Sequence, residues 1–116
     1  MFNNSPLSMA DIQKIEATDL SLMDRHYLRL LAHCLACFKE ISKGSSNGAL
    51  PSERELFEWL LAQPSLNKDK DFMLILLKQF ARAGNQLEIL AKEFNVSPLE
   101  LSLDELIIAR LTEKAP

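Results

Sequence analysis

Little in this chain is available for chemistry. It has two histidines, His26 and His33, and two cysteines, Cys34 and Cys37, all in one stretch of the sequence. Two cysteines in one predicted helix do not make a disulfide framework. With no serine or cysteine in an activating context, no hydrolase triad can be named. Glycine is scarce, at three residues, and no glycine-rich loop is present to cradle a phosphate. The longest unbroken apolar run, Phe72 to Leu77, has six residues, far short of the roughly 20 that a membrane span needs. The net charge of −3 gives no global attraction to nucleic acid or to an anionic membrane. The first twenty residues contain Asp11, Glu16 and Asp19 and no apolar core stretch, unlike a secretory signal. A cytoplasmic protein is therefore expected, without catalytic residues, cofactor or metal.

What is present is material for a helical core. A length of 116 residues with 47 % apolar content suits a single domain over residues 1–116. No segment alternates like a strand. Serines followed three residues later by an acid mark helix starts as capping boxes: Ser8 with Asp11, Ser21 with Asp24, Ser52 with Glu55 and Ser102 with Glu105. Gly44, Pro64 and Gly84 read as stops. Together they predict helices near 9–17, 22–43, 53–62, 69–83, 86–94 and 103–113, packed as a compact orthogonal all-α bundle of five or six helices.

The second of these helices is the most informative. At about 3.6 residues per turn, Met23, Tyr27, Leu30, Leu31, Cys34, Leu35, Phe38 and Ile41 share a broad apolar arc. Arg25, Arg29, Lys39 and Lys43 lie opposite, with His26, His33 and Glu40 along the edge. Arg25, Arg29, His26, His33, Lys39 and Lys43 are therefore the expected partner-binding residues. The helix is net +2, whereas Glu53, Glu55 and Glu58 against Arg54 make the third helix net −2. Opposed fields of this kind orient association more than they strengthen it.

The chemistry-bearing residues of this helix read as structure. His26, His33 and Glu40 are spaced seven apart, about 10 Å along the axis, too far for one ion. His33 and Cys37 could supply only two ligands of a tetrahedral site. The C-x-x-C of Cys34 and Cys37 resembles the helical pair in peroxidase-reductase proteins of the AhpD type. That family adds a Glu upstream and a His downstream, whereas His33 precedes the pair here. The residues themselves point to a core cysteine, Cys34, with Cys37 less buried, and no disulfide between them.

Two segments resemble DNA-binding families. Leu50 to Leu56, L-P-S-E-R-E-L, resembles the start of the second helix in gluconate-repressor-type winged domains, although that family's turn and recognition helix do not follow. Leu90 to Leu99 is similar to the general helix-turn-helix pattern, with Ala91 at the crossing, Asn95 in a left-handed turn, Val96 in the core, Ser97 as cap and Pro98 at the first position. The resemblance implies a helix-turn-helix-like element near 86–111 and a nucleic-acid-binding transcriptional regulator. Its would-be recognition segment, Pro98 to Leu111, carries Glu100, Asp104 and Glu105 against Arg110, and phosphate contacts need Lys or Arg. The favoured expectation is a small non-enzymatic interaction or regulatory module. It is expected to be a homodimer, since Phe57, Trp59 and the F-M-L-I-L-L helix offer more apolar surface than one small bundle readily hides.

Overall fold

The computed structural model describes residues 7–42, 48–64 and 69–114. Among the described residues all regular secondary structure is helical: α1 (Met9–Glu16), α2 (Leu22–Ile41), α3 (Glu53–Leu61), α4 (Lys70–Phe94), a single 3-10 turn (Pro98–Glu100) and α5 (Leu103–Lys114). The helix starts follow the serine signals. Ser8 and Ser52 form reciprocal capping boxes with Asp11 and Glu55, and Ser102 does so with Glu105. Ser21 accepts from the Asp24 N–H and donates its hydroxyl to the Asp24 carboxylate.

One predicted stop is not a stop. The expected helices at 69–83 and 86–94 are one helix of 25 residues, with Gly84 inside it. A mid-helix glycine costs about 1 kcal/mol relative to alanine. The apolar face around it, Phe80, Ala83, Leu87, Leu90 and Ala91, is buried, and burying even one such large side chain is worth about 1.5–3 kcal/mol. Packing therefore overrides the local signal. Gly84 serves a different purpose: a Cβ there would sit 3.3 Å from Leu50 Cδ1, so its absence lets Leu50 lie against α4. The expected stop at Gly44 falls outside the described residues.

α2 is the central element, in contact with α1, α3, α4, α5 and the 3-10 turn. The Phe38 and Phe80 rings meet at 5.5 Å, while Tyr27 and Leu31 lie across from Gln86 and Leu90, so α4 runs back along α2 in the opposite sense. α5 also runs opposite to α2: its Arg110 reaches Asp24, and Lys39 reaches Leu101 just before α5 begins. Ile15, Leu28, Leu60, Leu87 and Leu101 are fully enclosed.

Two expectations about α2 need correction. Met23 and Leu30 are not core residues; they are 78 % and 46 % exposed. The neighbouring helices cover a narrower arc of α2 than its apolar residues span. Cys37 is not the less buried cysteine, because it and Cys34 are both enclosed, and both thiols are free. Five elements pack around α2, which closes over the margin where Cys37 lies.

The turn between α4 and α5 has the expected stereochemistry. Asn95 is left-handed at φ 57°, and Pro98 opens the next turn after Ser97. That turn lasts only three residues before the chain extends and α5 begins at Leu103. The would-be recognition segment from Pro98 to Leu111 is thus two separate pieces, because the N–H of Leu101 closes a 3-10 turn on Pro98 and Ser102 caps a new helix.

Candidate docking surfaces

The structure divides the basic residues of α2 into separate settings. Arg25 and Arg29 converge on one carboxylate. Arg25 Nη1 donates to Glu16 Oε2 at 3.1 Å, and Arg29 Nη1 stands 3.7 Å from Glu16 Oε1. Two guanidinium groups share one acid at the junction of α1 and α2, so the cluster keeps a net positive charge. Arg25 is the more enclosed of the two, with its Nε buried and without a hydrogen-bond partner among the described residues. His33 lies half-buried on the same side; burial, and then the charge of Arg29, hold its pKa below the ordinary 6.5. His26 is exposed. Lys39 lies elsewhere, donating to the Leu101 carbonyl at 3.0 Å and so tying the end of α2 to the start of α5. Lys43 lies outside the described residues.

No three His, Cys, Asp or Glu side chains among the described residues gather closely enough to hold a metal ion. Burial pushes the Cys34 thiol up to about 12 and the Cys37 thiol up to about 11, from 9.0. Nucleophilic cysteine chemistry needs the thiolate, and this setting suppresses it.

The one buried acid among the described residues has its own partner. Asp24 accepts from Arg110 Nη2 at 2.6 Å and from Arg110 Nε at 3.1 Å, and the guanidinium carbon lies 4.4 Å from the centre of the Tyr27 ring. By sequence, Arg110 is the lone cation of the Pro98 to Leu111 segment. A signal was present: Arg110 follows Leu106 and Ile107 by four and three residues, which places it on the buried face of α5.

One concavity between α3 and α4 lies outside the expected partner-binding residues. It is an apolar groove of about 710 Å³, with Phe38 of α2 at its floor, Leu50, Pro51 and Leu56 on one wall, and Leu74, Leu77, Ala81 and Gly84 of α4 on the other. Its origin is a mismatch of lengths. α4 has 25 residues and α3 has nine, about 37 Å against about 13 Å, so α3 leaves much of α4 uncovered. One end is closed by the turn at Pro98. The Leu99 N–H donates to the Gly48 carbonyl at 3.0 Å, and Gly48 takes φ +71° with its α-carbon packed so tightly that a Cβ would meet Ser97 Cβ at 2.7 Å. The polar lining is Glu53, Lys78, Asn85 and Glu88. Leu74, Lys78, Ala81, Asn85 and Glu88, spaced four, three, four and three apart, form one exposed row along α4. That spacing was legible in the sequence, but not that the row would stay exposed among the described residues.

Fold and surface together define a small helical bundle, with a charged patch on one helix and an apolar groove between two others. Among the described residues no helix is long and apolar enough to cross a membrane. The chain belongs to the family described as NDH complex assembly factor CRR9, which it matches over residues 7–115. No curated protein and no solved structure is similar enough to the chain to count as a match.

Proposed function

We propose that this chain is a non-enzymatic assembly module that docks a protein partner of the NDH complex through the basic residues Arg25, His26, Arg29, His33 and Lys39 of α2, together with Lys43. Membership of an assembly-factor family is the observation that carries this reading. The placement of Arg29 and His26 supports it. Both face away from the core, and the Arg25–Arg29–Glu16 cluster carries one more positive than negative charge. Charge of this kind steers encounter and fixes orientation. The same reading holds that the chain acts in the cytoplasm as a homodimer with a regulatory role, and the exposed Leu22, Met23 and Leu30 supply apolar surface for self-association.

The experiment is binding of individually purified NDH complex subunits to the wild-type chain and to Arg25→Glu/Arg29→Glu, over a salt series. A weaker and less salt-sensitive complex in the variant is expected. Unchanged affinity in a folded variant would overturn the role of α2, and tight, steeply salt-dependent binding to duplex DNA would replace it with the regulator reading. Light scattering at micromolar concentration tests self-association, where a monomer mass removes the dimer. Recovery of the protein outside the cytosolic fraction removes the cytoplasmic assignment.

A further inference from the structure

We propose that the groove between α3 and α4 is a second docking site, and that its occupant is an amphipathic helix of the protein being assembled, apolar on one face and flanked by lysine or arginine. This rests on the assembly reading above but assigns a different surface, opposite in charge to α2.

Three observations select a helix as occupant, and a basic one. The open row Leu74, Lys78, Ala81, Asn85 and Glu88 repeats at four and three residues, the spacing at which one helix receives another. It rises about 21 Å, matching four turns of a partner helix. Ala81, small and exposed, stands at the centre of the row, so a partner backbone can approach closely there, while Leu50 already covers Gly84 beside it. Leu74 and Leu77 stand higher at one end. Leu74 is 55 % exposed, a large apolar side chain left without cover.

Charge then sets the flanks. The lining contributes Glu53 and Glu88 against the single cation Lys78. Glu55 follows on the first turn of α3, while the charge of Arg54 is engaged by Glu58 at 3.0 Å. The lining's net charge of −1 favours a helix with cations at its edges over one with acids. Assembly supplies such ligands, because a subunit not yet in its complex exposes the apolar faces that the finished complex buries.

The test uses the full chain and three labelled synthetic peptides of about 18 residues: one with leucines at four-three spacing and lysine flanks, the same peptide with glutamate flanks, and a scrambled version of the lysine peptide. Fluorescence anisotropy is expected to show binding in the order lysine, glutamate, scrambled. Ala81→Glu and, independently, Leu74→Glu should each weaken the lysine peptide by about tenfold or more, with helical circular dichroism retained; both positions are exposed, so the pair guards against one variant misfolding. Glu53→Lys/Glu88→Lys should reverse the preference between lysine and glutamate flanks.

The inference is overturned if the lysine peptide does not bind or binds no better than the scrambled one. It also falls if folded Ala81→Glu and Leu74→Glu bind as the wild type does. Conversion of a dimer to a monomer by Ala81→Glu in light scattering would overturn it as well, since the occupant would then be a second copy. If the purified subunits bind, need Arg25 and Arg29, and are indifferent to Ala81→Glu, the groove assignment falls while the α2 reading stands. Loss of subunit binding with Ala81→Glu alone leaves the groove and removes α2.

Discussion

The contact between Asp24 and Arg110 joins the first turn of α2 to the last turns of α5, and removing the cation should be among the most damaging single changes in the molecule. The Asp24 and Arg110 side chains are 11 % and 23 % exposed. Breaking a fully buried pair from one side costs about 3–5 kcal/mol, because the remaining charge has lost both water and partner. An exposed pair is worth about 0–1 kcal/mol. At this burial Arg110→Leu should cost about 2–3 kcal/mol, including the stacking on Tyr27, worth about 0.5–1 kcal/mol. For a domain of this size that lowers the thermal midpoint by roughly 8–12 °C. Arg110→Lys keeps the charge but loses the two-pronged donor and the planar stack, so it should fall between. Asp24→Asn combined with Arg110→Leu should be less harmful than the sum of the single changes by about 1–2 kcal/mol, since no charge is then stranded. Calorimetric or urea unfolding of the four proteins closes the cycle. A midpoint for Arg110→Leu within about 2 °C of the wild type, or strictly additive losses, would refute the claim that a desolvated carboxylate is being held.

Other consequences follow from local geometry. Gly48→Ala should destabilise, since φ is +71° and the added carbon would stand 2.7 Å from Ser97 Cβ; Gly84→Ala should be neutral or raise the midpoint, because the helix gains up to about 1 kcal/mol and the Leu50 tip can move into the groove. Asn95→Ala should cost about 1 kcal/mol in chemical denaturation while Asn95→Gly is tolerated, because Ala lacks the short polar side chain that lets Asn adopt the left-handed conformation and Gly has no Cβ to oppose it. The Cys34 and Cys37 pKa values are raised in the folded state from 9.0 to about 12 and about 11. Their contribution is therefore fully present below pH 9, where both states hold the proton, and is lost as pH rises through that range, where only the unfolded chain releases it. Urea unfolding from pH 8 to 11 should show a decline that is shallower in Cys34→Ala/Cys37→Ala, and native thiols should alkylate slowly at pH 8.

The all-helical class, the starts at Ser8, Ser21, Ser52 and Ser102 and the left-handed turn at Asn95 were determined by the sequence alone. Each depends on a few adjacent residues satisfying backbone N–H groups or adopting one local conformation, so distant parts of the chain have no vote. Other features needed the tertiary structure. Gly84 is a stop by composition but a site of close approach once Leu50 arrives from elsewhere in the chain. Arg110 reads as a surface cation until Asp24, 86 residues away, gives it a buried partner. Met23 and Leu30 share the helical arc of the core, yet the breadth of that arc that is buried depends on how many helices pack around α2. The same holds for the functional surfaces. Periodicity put Arg25 and Arg29 on the polar side of α2, but their common hold on Glu16 required α1 to dock. The groove lies between the short α3 and the much longer α4, a relation between two elements that neither segment encodes by itself.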